Sequence, residues 1–243
     1  MPDSRLVIVS DAHLGAAPPE SDRALETFLE AVPDLGDALL VNGDLFDFWF
    51  AYRRAIPRSG ARVLALLGTL ARRMPVAMTG GNHDRWGDSF WERDLGIRWS
   101  AGELRWDAAG LAVLALHGDG IAEVHWQARV MHRVTRHRLT AAAYRLIHPD
   151  LGIWLVNRLS GVLGDNTRDP AVLDRAAARQ VAWAEERLRR SPEIGLLVMG
   201  HTHRPTVVEA APGRRYVNPG AWMDGLRYAV ATRDGVELRQ FPG

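Results

Sequence analysis

Two kinds of apolar pattern alternate along the first third of the chain. Residues 6–10, 38–42 and 76–79 are short, nearly unbroken apolar runs and predict buried strands. Residues 21–32 instead place Leu25, Phe28, Leu29 and Val32 on one face at helical spacing, and residues 61–73 predict a second helix ended by Pro75. The resulting β-α-β-α-β order argues for an α/β sheet protein. Residues 103–107 and 111–116 flank Ala108-Ala109-Gly110 and predict a hairpin. Residues 121–163 then break the alternation, with helical character and no strand signal. Residues 169–190 predict a long helix with Pro170 in its first turn. A strand over 195–199 follows, then four short strands at 206–209, 215–218, 227–232 and 235–241.

The polar residues that end these runs carry the chemistry. The first strand ends in Ser10-Asp11-Ala12-His13, the second in Asn42-Gly43-Asp44, and the third in Gly80-Gly81-Asn82-His83-Asp84. The hairpin ends in His117-Gly118-Asp119, and the late strand in Gly200-His201-Thr202-His203. Open α/β sheets bind ligands outside the carboxyl ends of their strands, so five such ends can converge on one crevice. Gly43, Gly81, Gly118 and Gly200 are expected to let the backbone turn sharply there. One Asp-x-His or His-x-His is weak evidence, since such tripeptides are usually surface turns. Five groups in this order, each at a strand terminus, are a strong signal for a metal centre built from oxygen and imidazole ligands.

Composition narrows this chemistry. The 243 residues are 47% hydrophobic, enough for one large domain with a sizeable core. Cysteine is absent, so no disulfide framework and no thiolate site exist. The formal charge is +1, which argues against a nucleic-acid partner; all thirty basic residues are arginine, as biased genomic composition would give. The first segment runs directly into a strand without a signal-peptide pattern, and no apolar run reaches the roughly twenty residues a membrane span needs. The expected location is cytoplasmic, peripheral on the inner membrane.

Asp11-Ala12-His13, Gly43-Asp44, Gly81-Asn82-His83-Asp84, His117 and Gly200-His201-Thr202-His203 resemble the full signature of the calcineurin-like metallophosphoesterases. The resemblance covers nearly the whole chain. It implies a four-layer α/β/β/α sandwich with a dinuclear metal site, as one domain over 1–243 with a helical cap inserted at 121–168. It implies that Asp11, His13 and His203 hold one ion, that Asn82, His117 and His201 hold the other, and that Asp44 bridges both. Asp84 would stand behind His83, and Asn218-Pro219-Gly220 would form a supporting loop. The ions implied are two divalent cations, manganese first, with Fe, Zn or Mg as alternatives.

A phosphodiester repels nucleophiles and its leaving group departs with negative charge. Two ions about 3.5–4 Å apart answer both problems, generating a bridging hydroxide and clamping the phosphate oxygens. His83 is then free to act on the phosphate or the leaving group, with Asp84 expected to hold its ring.

Gly43-Asp44-Leu45-Phe46-Asp47-Phe48-Trp49, His117-Gly118-Asp119-Gly120, the helical insertion and Gly200-His201-Thr202-His203-Arg204-Pro205 further resemble the UDP-2,3-diacylglucosamine diphosphatases of lipid A synthesis. That implies cleavage of a pyrophosphate to UMP and a lipid monophosphate at a membrane surface. One position departs: many of those enzymes carry arginine where this chain has His83. The insertion interleaves apolar residues with arginines, and Trp126 and Trp154 are candidate contacts to an acylated nucleotide sugar, beside Asn82 and His83 at the phosphate. The alternative for these apolar residues is simple packing on the sandwich, and His125, His132, His137 and His148 read as surface residues. The rival functions are a broad-specificity phosphodiesterase or nucleotide pyrophosphatase on the same scaffold, a DNA nuclease, and a non-catalytic binding scaffold.

Overall fold

The computed structural model describes residues 4–121, 133–135, 137–163 and 169–243. Within them, β1 (Leu6–Val9), β2 (Ala38–Asn42), β3 (Val76–Thr79) and β4 (Arg98–Ser100) pair in parallel, in that order. The connection from β1 to β2 is α1 (Pro19–Leu35), and that from β2 to β3 is α2 (Ala61–Ala71). Strands with covered faces read as continuous apolar runs, which is why β1 to β3 are buried at every position. On one face Val7, Val9, Leu39, Val41 and Met78 pack with Leu25, Phe28 and Leu29 of α1 and with Val63 and Leu67 of α2.

The other face carries Leu6, Ile8, Ala38, Leu40 and Ala77, and these meet a second sheet. That sheet contains β5 (Leu104–Ala108), β6 (Leu111–Ala115), β7 (Leu196–Val198), β8 (Thr206–Ala211) and β9 (Arg214–Asn218), in the order β5-β6-β7-β9-β8. Trp106, Val113, Leu196, Val198 and Val217 point into the shared core. Leu114, Leu197 and Tyr216 point outward against Ala184 and Leu188 of α6 (Pro170–Arg190). Three stacked cores therefore separate four layers, helix, sheet, sheet, helix, as the resemblance implied.

Several elements depart from the sequence reading. A four-residue helix, α3 (Phe90–Arg93), and the three-residue β4 were not foreseen, because neither is long enough to display a period. The last two strands, β10 (Arg227–Ala231) and β11 (Val236–Gln240), form a hairpin that joins the first sheet. β10 lies antiparallel beside β1, with Leu6 opposite Ala231.

The insertion is broken rather than continuous in its described part. α4 (Arg138–Tyr144) and α5 (Pro149–Leu163) are separated by a turn. Asp169 caps α6 by accepting a hydrogen bond from the Ala171 amide at 2.9 Å. Trp126 lies outside the described residues. No helix among the described residues is long and apolar enough to cross a membrane.

Candidate metal centre

The loops after β1 and β2 zip together. The amides of Asp11, His13 and Leu14 donate to the carbonyls of Gly43, Asp44 and Leu45 at 2.9–3.1 Å. The loop after β9 closes the other side, where Trp222 and Met223 donate to the carbonyls of Ser10 and Asp11. These ladders hold a strained backbone. Asp11, His13, Asp44, His201 and His203 all have φ between 47° and 69°, the left-handed region that non-glycine residues rarely enter. Such conformations cost about 1–3 kcal/mol each and persist only where neighbouring structure over-determines them.

The glycines serve two different purposes. Gly43 turns with φ 81°, as expected. Gly81 is outside the left-handed region; a Cβ there would collide with the Asp44 carboxylate, so the requirement is close approach.

The side chains meet in three overlapping groups, each with ligand atoms within 4.8 Å of one another: Asp11, His13 and His203; His13, Asp44 and His83; and Asp44, His117 and His201. His13 and Asp44 each belong to two groups. Asp11, Asp44 and His117 are 2% exposed or less. Asn82 is half-buried, and its Oδ1 has no hydrogen-bond partner among the described residues.

Hydrogen bonds aim the rings. His117 Nδ1 donates to the Asn42 carbonyl at 3.0 Å, which turns Nε2 toward Asp44 Oδ2, 3.0 Å away. His203 Nδ1 donates to Asp224 Oδ2 at 2.7 Å, which turns its Nε2 toward Asp11. Asp11 itself accepts from the Ser10 hydroxyl and the His201 amide, and Asp44 from the His83 amide.

The expected pairing of Asp84 with the His83 ring is replaced by another. Asp84 is fully buried and accepts from the amides of Gly81 at 2.8 Å, Leu45 at 2.7 Å and Asp44 at 3.3 Å. Its carboxylate pins the β2 and β3 loops together and is withdrawn from the open side of the site. The His83 ring uses Asp47, whose carbonyl accepts from Nδ1 at 2.6 Å and whose carboxylate lies 3.7 Å from Nδ1 of both His83 and His13. Asp47 sits in the aromatic run Leu45–Trp49, and the acidic break in that run was the available signal for it.

The electrostatics form one balance. Burial opposes charge on the Asp11 carboxyl, yet His203 and His117 bring it down to about 2. Burial likewise opposes charge on His117 and His203, yet Asp44 and Asp11 hold His117 at about 10, and Asp11 and Asp224 hold His203 there too. A buried set of carboxylates recruits protons onto its imidazoles when nothing else neutralises it. Divalent cations would replace those protons. Among the described residues, His13 Nε2 has no hydrogen-bonding partner and His117 Nε2 faces only the Asp44 carboxylate, so the donor set fits such ions.

Gln180 of α6 braces the last loop from behind. It is fully buried, donates to the Gly200 carbonyl at 3.1 Å, and accepts from Thr202 Oγ1 and Tyr216 OH at 3.1 Å. Gln180→Leu is expected to cost about 1–3 kcal/mol in urea denaturation, because buried donors lose their acceptor. A loss below about 0.5 kcal/mol would mean that water replaces the amide.

The sequence model of the calcineurin-like phosphoesterase family matches residues 4–205, a span that contains every residue of this cluster except Asp224. The chain belongs to the calcineurin-like phosphoesterases. As a member of that family it is a metal-dependent phosphoester hydrolase. Its curated relatives include the UDP-2,3-diacylglucosamine hydrolase of Porphyromonas gingivalis, 28% identical over 93% of this chain and 94% of that one. The enzyme of the same name from Klebsiella pneumoniae is 27% identical over 97% and 98% of the two chains. Among solved structures, a protein of Thermus thermophilus aligns over 99% of this phosphoesterase and all of that chain, with 14% identity and a TM-score of 0.48.

Proposed function

We propose that this phosphoesterase hydrolyses the pyrophosphate of an acylated nucleotide sugar, with two divalent ions, manganese by preference, held at the centre described above. Asp11, His13 and His203 would hold one ion, and Asn82, His117 and His201 the other, with Asp44 shared. The observation that carries this reading is the overlap of three ligand groups through His13 and Asp44, which suits two adjacent ions better than one. When bound, such ions acidify water and draw charge from the phosphate oxygens.

The chain's own residues supply the remainder. His83 keeps Nδ1 on Asp47, so Nε2 is the edge it presents to a phosphate oxygen or a leaving group. Asp47 orients that ring. Asp84 keeps the two loops at the distance the site needs.

Support for the lipid part comes from α4, α5 and the turn between them. Leu139, Leu146, Leu151 and Trp154 are 55–89% exposed, unlike any leucine, valine or phenylalanine of α1 or α2. Arg158 and Arg145, the latter paired with Asp88, lie along the same stretch, and Arg133 precedes it, a combination that suits an anionic lipid or its surface. The relatives named for UDP-2,3-diacylglucosamine support the same substrate class.

The test compares manganese-loaded protein on UDP-diacylglucosamine and on bis-p-nitrophenyl phosphate. Trp154→Ala is expected to change stability by no more than about 0.5 kcal/mol, as a surface substitution does. It should raise KM for the diacyl substrate while sparing bis-p-nitrophenyl phosphate. Each buried methylene contributes about 0.8 kcal/mol, about fourfold in affinity, so shortening the acyl chains should weaken binding steeply. Indifference to chain length, with equal cleavage of an unacylated UDP-sugar, would replace this reading with a broad-specificity phosphodiesterase.

A further inference from the structure

A cavity of about 610 Å³ opens beside His117, between the ends of the two sheets and α4. That volume suits a drug-sized ligand. Its lining sets a buried ion pair among apolar side chains such as Leu116 and Ile121, and that pair is what a hydrocarbon chain would leave unanswered. Arg85 and Asp119, both nearly buried, face each other in it as an ion pair, and Arg85 Nε has no hydrogen-bond partner among the described residues. Two indoles line it from different layers: Trp86 from the β3 loop and Trp183 from α6. Trp86 is fixed by its Nε1, which donates to the Thr135 carbonyl at 3.2 Å, and by tilted packing against Phe48 and Phe50.

Covering a buried ion pair with alkyl groups removes its last solvation and returns no hydrogen bond. A planar ring bearing carbonyl and N–H groups can stack on indole while meeting those charges. The exposed apolar residues Leu139, Leu146, Leu151 and Trp154 do not line this cavity. We infer that the cavity beside His117 is the subsite for the nucleobase of the substrate, and that the acyl chains run along α4 and α5 instead. This division rests on the reading of the protein as a nucleotide-sugar hydrolase and assigns each half of that substrate its own surface.

Three esters that share one leaving group separate the possibilities: thymidine 5′-(p-nitrophenyl phosphate), bis-p-nitrophenyl phosphate and hexadecyl p-nitrophenyl phosphate. With manganese-loaded full-length protein, Trp183→Ala should raise KM for the nucleotide ester about 5–100-fold, the range of a lost base–aromatic stack, and leave the other two unchanged. Trp183→Phe, which keeps an aromatic face, should recover most of the loss. The same factor should appear in the Kd of uridine monophosphate by calorimetry, which needs no turnover. An inactive hydrolase is thereby told apart from a wrong subsite. Equal losses on all three esters would reduce Trp183 to a packing role. A loss confined to the hexadecyl ester would hand the cavity to the acyl chain. Either result overturns the inference.

Discussion

Asp44→Ala should abolish phosphodiester hydrolysis and release at least one equivalent of metal. Asp44 is 2% exposed and enters two of the three ligand groups, so its removal reaches both proposed ions at once. It also accepts the His83 amide at 2.9 Å and stands 3.0 Å from His117 Nε2, so both rings lose a reference point. Losing an outer partner of a metal ligand typically costs about 10–100-fold, and this loss should exceed that. Metal content by mass spectrometry and turnover of bis-p-nitrophenyl phosphate should fall together, with thermal unfolding recorded as a control for the fold. A variant that keeps two metals and full turnover would remove this cluster from consideration as the active site.

His83→Ala should lower turnover by about 10²–10⁴-fold, the usual range for a lost acid or base, while both metals stay bound. The ring is about one-third exposed, with Nδ1 committed to Asp47, so it reaches into the open side of the site without being needed to close it. A proton-donor role makes the loss smaller for p-nitrophenolate, a good leaving group, than for an alkoxide. Equal losses would point to stabilisation of the phosphate oxygens. His83 also lies in a ligand group with His13 and Asp44. Should metal content drop in step with turnover, His83 is a ligand and its assignment changes accordingly.

The placement of these two residues in one cluster was legible in the sequence, and that of Asp47 was not, for a physical reason. Asp44 and His83 stand at the ends of apolar runs, where a polar residue has little reason to be unless it serves a crevice. Asp47 lies inside Leu45–Trp49, between Phe46 and Trp49 of the first core, and its value depends on a ring 36 positions away. Asp84 was legible as a site residue but not in its role. Its adjacency to His83 suggested a ring partner, whereas its carboxylate turned to three backbone amides.

The sequence by itself determined the alternation of strands and helices and the five strand ends that bring acids and imidazoles together. All of that is local: a period of two or of three to four, a breaker, or a polar residue closing an apolar run. Tertiary structure decided the partners. The hairpin of β10 and β11 could have closed either sheet, and it chose the edge beside β1. Asp11 meets the His201 amide across 190 residues, Asp224 aims His203, and Arg85 finds Asp119 in a cavity that no segment forms alone. A hydrogen bond or ion pair stabilises by where its two ends lie in space. Chain spacing fixes that only within an element, and between elements it is set when the sheets twist and stack.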